Sequence, residues 1–354
     1  MRILENGISV YAGLGSSVAN NVALIERAAA MGMKKCFTST QIPESLVDVE
    51  AFYDELTAII EAAVANEFEI ILDVNSDNII AFDFEEFTWR LDDGFDIGQV
   101  ADLSRIHKIQ LNASVMTEDF LKALVNLDAN FGNISALHNY YPHVHTGLEN
   151  YYFSEQNKML HDFGLKVGAF APSRDGIRRE PLFEGLPTLE ITRNYSTDLA
   201  ARYLAALGAD YVVIGDGQPT DEEIKAVAGL RNDEIIIHAR LLTLDPTTIE
   251  ILSKPFTSRP EITRSVIRAV EGRKYASQTN KKIMADETPT ERTYGCITID
   301  NEKFGRYMGE VQIVEDLLPA DARVNVAAKI LEDENGLVSC IKQSQKFSFR
   351  FDEI

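Results

Sequence analysis

Residues 18–40 read VANNVALIERAAAMGMKKCFTST and contain one complete helix-to-strand unit. Apolar residues recur at helical spacing in the first half, which predicts a helix with one buried face. These residues are Val18, Val22, Ile25 and Ala29. Gly32 follows, and a C-terminal glycine suits the left-handed conformation that ends a helix. Residues 34–40 then form a β-rich run, which predicts a strand.

The same unit recurs through residues 1–235. Strand-like runs lie at 7–11, 34–40, 69–75, 88–92, 106–114, 134–140, 166–172 and 211–217. Thr220 and Glu223 have the spacing of a capping box, which predicts the start of the last helix. Eight β/α units in this length predict a (β/α)8 barrel, typically about 250 residues long. A doubly wound sheet is less favoured because no GxGxxG motif follows the first strand.

After about residue 235 the alternation stops. Strand-like stretches lie at 234–244, 293–299, 311–315, 323–330, 337–341 and 347–351, and turn signals separate them. Residues 275–292 are polar without periodicity, which predicts an exposed loop. We therefore expect an α/β chain with a catalytic barrel over 1–235 and a small, mostly antiparallel β domain over 236–354. Residues 182–193 fit either a long loop or a short strand.

The charge is distributed unevenly over the 354 residues. The net charge of −21 argues against a nucleic-acid-binding protein, which needs a basic face for phosphates. Residues 1–239 contain 17 basic and 37 acidic residues, whereas residues 240–354 contain 17 and 18. If the protein binds an anion, we expect the positive contacts in the nearly neutral C-terminal part.

Signals for export and for disulfides are missing from the sequence. No apolar run reaches the roughly 18 residues of a membrane span, and the N-terminus lacks the apolar core of a signal peptide. We therefore expect a cytoplasmic protein without a membrane partner. Cys36, Cys296 and Cys340 form no CxxC pair, which argues against a disulfide scaffold and a cysteine-only zinc site.

Polar and acidic residues collect where the predicted barrel strands end. In such barrels the functional residues lie at the carboxyl ends of the strands and in the loops after them. The residues found there are Asp73, Asp92, Asp93, Asn112, His138, Asn139, Glu184, Glu190 and Asp216. We therefore expect the functional site at this rim.

The Asp-Asp-Gly tripeptide at 92–94 is the sharpest signal at the rim. Alternation along the strand would direct one aspartate towards the barrel axis and the other towards the loop. Glycoside hydrolysis needs two carboxyl groups, roughly 5–5.5 Å apart for retention and roughly 6.5–9.5 Å apart for inversion. Asp73, Glu190 or Asp216 would supply the second group. The alternative is a plain turn whose second aspartate accepts backbone N–H bonds.

Two basic clusters interrupt the acidic background. Residues 174–179, after the seventh strand, are more simply interpreted as a solvated face with local ion pairs. Residues 258–265 combine Arg259 and Arg264 with Ser and Thr hydroxyls, and Arg268 follows one turn later. Because the planar fork of arginine suits phosphate, the second cluster predicts a phosphate pocket.

A pair of loop histidines raises the question of a metal. His143 and His145 lie close to His138 in the sequence. Zinc takes three or four ligands of defined geometry, and two loop histidines are common without any metal. We therefore expect neither a metal nor another cofactor.

Several short motifs are specific when they are taken together. They are Gly7-Ile8-Ser9-Val10-Tyr11, Asp73-Val74-Asn75, Arg90-Leu91-Asp92-Asp93-Gly94-Phe95, His138-Asn139-Tyr140-Tyr141-Pro142, Ile214-Gly215-Asp216-Gly217 and Arg306-Tyr307-Met308-Gly309-Glu310. With them the chain resembles a bacterial family long known only as a domain of unknown function, the 6-phospho-N-acetylmuramidases. Some members carry the label "outer surface protein".

The resemblance implies a barrel followed by a cyclophilin-like β domain. It also implies hydrolysis of the β-1,4 bond of N-acetylmuramic acid 6-phosphate–N-acetylglucosamine, a disaccharide phosphorylated during uptake as cell wall is recycled. The sequence departs from the family pattern at Ser76, Glu180 and Thr192, where Pro, Gly and His are usual. These positions fall near the expected pocket, so they bear on the substrate more than on the reaction class.

The rim and the resemblance together suggest residue roles. We expect Asp92 or Asp93 to act as nucleophile or base, and Glu190, or as second choice Asp73, to act as acid. A protonated acid needs a raised pKa, which burial or a neighbouring carboxylate would supply. The substrate's N-acetyl group could itself attack the anomeric carbon. The expected contacts are Asn112, His138, Asn139 and Asp216 to the sugars and Arg259 and Arg264 to the phosphate.

Two other classes of function would use the same rim. A metal-assisted sugar-phosphate isomerase or lyase would lose its activity to a chelator. A non-catalytic sugar-phosphate-binding protein would bind its ligand without consuming it and would tolerate loss of either aspartate. The sequence is compatible with an oligomer.

Overall fold

A computed structural model describes residues 4–41, 48–76, 87–92 and 94–351 of the chain. Contacts between Cα atoms divide the chain into two compact units, Met1–Asn232 and Asp233–Ile354. Both units contain fully buried apolar side chains, such as Ile71 in the first and Ile297 in the second. Each unit therefore has a hydrophobic core of its own.

Parallel strands form a closed barrel in the first unit, in chain order. The eight strands are β1 (Gly7–Ser9), β2 (Lys35–Ser39), β3 (Glu69–Val74), β4 (Thr88–Leu91), β5 (Lys108–Asn112), β6 (Ile134–Leu137), β7 (Val167–Ala171) and β8 (Tyr211–Ile214). Each strand lies inside one predicted run, so the predicted barrel is confirmed. The pairs Gly7–Val213 and Ile8–Ile214 join β8 to β1 and close the barrel.

The helices of the first unit lie between these strands. Within the described residues they are α1 (Val18–Ala30), α2 (Val49–Ala65), α3 (Ile97–Ile106), α4 (Glu118–Asn126), α5 (Asn150–Asp162), α6 (Thr197–Ala206) and α7 (Asp221–Ala228). The capping box of Thr220 and Glu223 opens α7 as predicted. Gly32 has a φ of 98°, in the left-handed region expected after α1.

Four aromatic rings form a layer at the carboxyl end of the barrel. Phe37 and Phe170 come from β2 and β7, while Tyr11 and Tyr140 follow β1 and β6. Neighbouring rings contact each other edge to face, with centroids 5.1 to 6.5 Å apart. This aromatic layer closes the core from above and forms the floor of the barrel mouth.

Residues 182–193 form a loop after β7. Leu189 makes a single bridge to Leu148, and a 3-10 helix, Glu190–Asn194, begins at the next residue. Leu186 and Leu189 are buried, so the apolar residues of this segment pack inward without forming a regular strand.

The second unit is built on one sheet. Its strands are β9 (Ile235–Leu241), β10 (Phe256–Thr257), β11 (Val266–Arg268), β12 (Cys296–Asp300), β13 (Val311–Val314), β14 (Val324–Ile330) and β15 (Lys346–Phe351). They form a seven-stranded sheet in the order β10-β15-β9-β14-β12-β13-β11. Of the neighbouring strand pairs in this sheet, β9–β15 is parallel and the others are antiparallel. The predicted mostly antiparallel domain is therefore confirmed.

Two sequence predictions for the second unit are wrong. The predicted strand at 337–341 begins inside a helix, α10 (Asn335–Val338), because a short apolar run does not distinguish a strand from a buried helical turn. The predicted loop at 275–292 begins inside α9 (Gly272–Thr279). The buried residues of α9 are Gly272 and Ala276. Because both are small, the sequence shows no stripe of large apolar residues that would have predicted a helix. A further helix, α8 (Pro246–Leu252), lies between β9 and β10.

A helix that crosses a membrane must be both long and apolar. Across the described part of the chain, every helix is too short or too polar to cross a bilayer.

Candidate active site

Asp73 lies at the carboxyl end of β3 and faces the barrel interior. Its strand partners are Ser39 on β2 and Arg90 on β4, and residues in register on neighbouring parallel strands point to the same face. The Ser39 hydroxyl donates to Oδ2 of Asp73 at 2.9 Å, and the side chain is only 9% exposed. The structure therefore places this carboxylate inside the barrel mouth, largely shielded from water.

Arg90 joins β4 to the end of β6. Its Nη1 donates to the carbonyl oxygen of Leu137 at 2.8 Å, and its Nη2 donates to Oδ1 of Asn139. The guanidinium is buried, and the strand register sets Arg90 beside Asp73. A fixed cation thus lies in the same layer of the barrel as the shielded carboxylate.

Asp92 directly follows β4. Asp92 lies two residues after Arg90, where continued strand alternation would direct its side chain to the same face. Its backbone N–H donates to Val74 at 3.4 Å, and its side chain is exposed. Asp93 lies outside the described residues. Asp92 therefore lies just beyond the carboxyl end of β4, the strand next to that of Asp73, whose register partner is Arg90.

Two asparagines continue the rim beyond β4. Asn112 ends β5, and its Oδ1 accepts the backbone N–H of Ser114 at 3.1 Å. Asn139 follows β6, and its own N–H donates to the Ser114 hydroxyl at 3.0 Å. Asn112 therefore lies on the strand next to β4, and Asn139 follows the strand beyond it; the contact of either residue with a sugar stays a prediction.

His138 is a core residue in this structure. Its side chain has no exposed surface, and its ring nitrogens lie 3.2 Å from the Ser114 hydroxyl and 2.9 Å from Oδ1 of Asn157. Burial lowers its pKa to about 4, so the ring is neutral at pH 7. The expected sugar contact is not available to this side chain, which instead ties β6 to α5.

Asp216 holds three loop segments together. Its Oδ2 accepts the backbone N–H groups of Ser173 and Leu186 at 2.8 and 3.3 Å, and its Oδ1 accepts that of Arg179 at 2.9 Å. The side chain is fully buried, and this burial raises its pKa. The expected sugar contact is therefore not available here either, because both carboxylate oxygens are enclosed by backbone.

Glu190 has the opposite electrostatic environment from the one a general acid needs. Arg193 donates to both carboxylate oxygens at 2.7 Å, and the N–H groups of His145 and Gly147 add bonds of 2.9 and 2.8 Å. The Arg193 bonds lead these causes, and the pKa of Glu190 falls to about 2. The carboxylate stays ionised and anchors the loop after β6. Gly147 is required there because a Cβ would lie 2.6 Å from the Glu190 nitrogen.

Sequence reasoning missed Arg179. Its guanidinium carbon lies 4.8 Å from the ring centroid of Tyr11 and 4.9 Å from that of Tyr140, and its Nη1 donates to the Tyr140 hydroxyl at 2.8 Å. The arginine cluster after the seventh strand was the available signal, but a solvated face was the simpler interpretation of it. Only the fold shows that this side chain stacks on the aromatic layer.

The arginines of the second unit lie around a different cavity. Arg259 and Arg268 line a pocket of about 510 Å³, whereas Arg264 does not. Nη2 of Arg259 and Nε of Arg268 lie 3.3 and 2.6 Å from the same buried carboxylate, Glu310. The phosphate contacts expected of Arg259 and Arg264 stay a prediction.

The described residues include several His, Cys, Asp and Glu side chains that are chemically able to bind a metal. Within them, no group of three or more His, Cys, Asp or Glu side chains has an arrangement that could hold a metal ion. His143 and His145 are both exposed loop residues.

Sequence comparison identifies the family. Residues 6–229 match the N-terminal part of the 6-phospho-N-acetylmuramidases, and residues 235–350 match the C-terminal part. The chain belongs to the 6-phospho-N-acetylmuramidase family. The resemblance inferred from the motifs is thereby confirmed, and the protein is a glycosidase whose family name implies a phosphorylated muramyl sugar as substrate.

Two solved structures share the architecture of this chain. An uncharacterised Bacillus cereus protein has 28% identity and a TM-score of 0.86, covering 99% of this chain and 100% of its own. A conserved Enterococcus faecalis protein of unknown function has 29% identity and a TM-score of 0.68, covering 98% and 96%. No match is found among curated proteins.

Glu190→Gln removes the charge that compensates the buried guanidinium of Arg193. We expect the free energy of unfolding to fall by about 1–3 kcal/mol at pH 7, measured by thermal unfolding followed by circular dichroism. Because the pKa is lowered from 4.5 to about 2, this stabilisation is complete above pH 4.5 and is lost as the pH falls towards 2. Glu184→Gln, an exposed carboxylate in the same loop, is the control. Equal stability of the two variants would contradict the prediction.

Proposed function

We propose that this enzyme hydrolyses the β-1,4 bond of N-acetylmuramic acid 6-phosphate–N-acetylglucosamine during recycling of peptidoglycan. The family supports the reaction class and the phosphorylated sugar. The observation that carries the proposal is the placement of Asp73 and Asp92 at the ends of neighbouring strands of one barrel mouth. Glycoside hydrolysis uses two carboxyl groups that flank the scissile bond.

The environments of the two aspartates suggest their roles. Asp73 is largely shielded from water inside the mouth, and we assign it to protonation of the leaving oxygen. Asp92 is exposed in the mouth, so we assign it to the opposite face of the anomeric carbon. There it acts as nucleophile or base, or orients the N-acetyl group of the substrate for attack.

The Arg90–Asn139 pair and Asn112 complete the proposed site. The guanidinium of Arg90 orients the side-chain amide of Asn139, since Nη2 donates to its Oδ1. The amide NH2 groups of the two asparagines are then available to donate to sugar oxygens, as one carbonyl accepts from Arg90 and the other from Ser114.

Asp73→Asn and Asp92→Asn test the assignment. Loss of general acid or base catalysis lowers kcat by roughly 10²–10⁴-fold, and we expect each variant to lose activity in this range on the phosphorylated disaccharide. Asp102→Asn is the matched control, because Asp102 is an exposed residue of α3 paired with Arg105. Near-normal rates in both rim variants would end the assignment, and a loss confined to Asp93→Asn would transfer the role of Asp92 to Asp93.

The same assay separates hydrolysis from the other two classes of function. A chelator should leave the wild-type rate unchanged, whereas a metal-assisted isomerase or lyase would lose its activity. Calorimetry on Asp92→Asn should show ligand binding without turnover. Binding without turnover in the wild type as well would identify a sugar-phosphate-binding protein instead.

We also propose that the enzyme acts in the cytoplasm, where a sugar phosphorylated during uptake is released. The protein should appear in the soluble fraction of lysed cells together with a cytoplasmic marker. Recovery with the cell surface after gentle washing would contradict this location.

A further inference from the structure

We propose that the phosphate of the substrate binds in the barrel mouth, in a cavity formed around Arg178 and Arg179. The proposal rests on the proposed function, because it assigns the phosphate of that substrate to a site. The cavity has a volume of about 280 Å³ and is lined by the loops after β1, β7 and β8. Loops after the seventh and eighth strands often form phosphate sites in barrels of this kind.

Arg179 is held in place before any ligand arrives. Its backbone N–H is fixed by Asp216 at 2.9 Å, and its guanidinium stacks on the rings of Tyr11 and Tyr140. Of its three side-chain nitrogens, only Nη1 has a hydrogen bond to a described residue, the Tyr140 hydroxyl. Nε is buried without such a partner, and Nη2 remains to meet an anion from the cavity.

Arg178 contributes a second charge that backbone groups hold in position. Its Nε and Nη2 donate to the carbonyl oxygens of Ser173 and Arg193 at 3.1 and 3.3 Å. Within the described residues, neither Arg178 nor Arg179 forms a salt bridge with a carboxylate. Two cations therefore line one cavity of a strongly acidic unit without a direct ion pair to a described carboxylate. Asp216 lies close enough to interact with both, and Glu180 shares the lining, so an anion would add to the compensation of their charge.

The cavity also offers neutral hydrogen-bond donors. Ser16 and Asn20, at the start of α1, and Gln218, after β8, lie in its lining. Its volume is at the lower limit of small-molecule sites. It therefore suits a single phosphate group, and the sugar rings would extend into the adjoining mouth.

A short chain of contacts connects this cavity to the carboxylates. Tyr140, which holds Arg179, directly follows Asn139, which accepts a hydrogen bond from Arg90. Arg90 in turn is the strand neighbour of Asp73. A phosphate bound at Arg179 would therefore orient the sugar ring over the aromatic layer, towards the two aspartates.

The arginine pair of the second unit is less suited to the same phosphate. Arg259 and Arg268 share the buried carboxylate of Glu310, which neutralises part of their charge. Glu261 and Glu315 also line that pocket. An entering phosphate would have to compete with carboxylates that are already in place.

Arg179→Met removes the positive charge, whereas Arg179→Lys keeps the charge but removes the planar guanidinium fork. Comparing the two variants therefore separates the effect of charge from that of hydrogen-bond geometry. We expect kcat/KM on the phosphorylated disaccharide to fall roughly 10- to 100-fold in Arg179→Met, and less in Arg179→Lys. On the same disaccharide without phosphate, kcat/KM should change little. Inorganic phosphate should inhibit the wild type competitively and the Met variant only weakly.

Arg306→Met is the matched control. Arg306 also stacks on a tyrosine, with its guanidinium carbon 4.8 Å from the Tyr307 ring, and donates to that hydroxyl at 2.7 Å, but it is exposed on the second unit. Its variant should retain the wild-type preference for phosphate. An equal loss on both disaccharides in Arg179→Met and Arg179→Lys would make Arg179 a structural residue only. A selective loss in Arg259→Met, with Arg179→Met unaffected, would overturn the proposal in favour of the second unit.

If the wild type cleaves neither disaccharide, the proposed function is refuted. A binding measurement then still tests the phosphate site. Calorimetry then compares N-acetylmuramic acid 6-phosphate with N-acetylmuramic acid. Preferential binding of the phosphorylated sugar, lost in Arg179→Met and retained in Arg306→Met, supports the phosphate site. Equal affinity for the two sugars in the wild type overturns it.

Glu180 supplies a further test, because its carboxylate lines the same cavity. A like charge close to a phosphate weakens binding, so Glu180→Gln should bind N-acetylmuramic acid 6-phosphate up to about fivefold more tightly. The affinity for the unphosphorylated sugar should stay the same. Glu184→Gln, outside the lining, is the control, and an unchanged or weaker affinity of Glu180→Gln for the phosphorylated sugar would contradict the site.

Discussion

Pairing of β8 with β1 is the constraint on which the site depends. Closure makes the parallel strands end at one rim, and the strand register then decides which side chains share the interior. Asp73, Arg90 and Ser39 come together because they are register partners on three successive strands. The proposed chemistry therefore depends on strand register more than on any single side-chain contact.

The carboxylates of the rim differ in their burial and in their hydrogen-bond partners. Asp216 is enclosed by backbone N–H groups and Glu190 is paired with Arg193, so both stabilise loops. Asp73 accepts a bond from a hydroxyl inside the mouth, and Asp92 is exposed there. An acidic residue near a strand end can therefore be a structural anchor, as its hydrogen bonds show for Asp216 and Glu190.

Arginines show the same dependence on surroundings. Arg193 is buried and paired, Arg259 and Arg268 share one carboxylate, and Arg179 stacks on tyrosines without a carboxylate partner in the described structure. The whole-chain charge distribution favoured the nearly neutral second unit for an anion. Local pairing gives the opposite preference, because a cation binds an anion only to the extent that its own charge is uncompensated.

The order of elements, the eight barrel strands and the family could be predicted from the sequence, because hydrophobic periodicity, glycine stops and short motifs are local properties of the chain. The positions of Asp73 and Asp92 at the rim followed from the same pattern. The burial of His138, the ion pair of Glu190 and the stacking of Arg179 could not be predicted, since each depends on partners from separate parts of the chain. Burial and charge compensation are properties of the packed structure, so tertiary contacts decided which polar residues at the rim are enclosed or ion-paired by the protein itself.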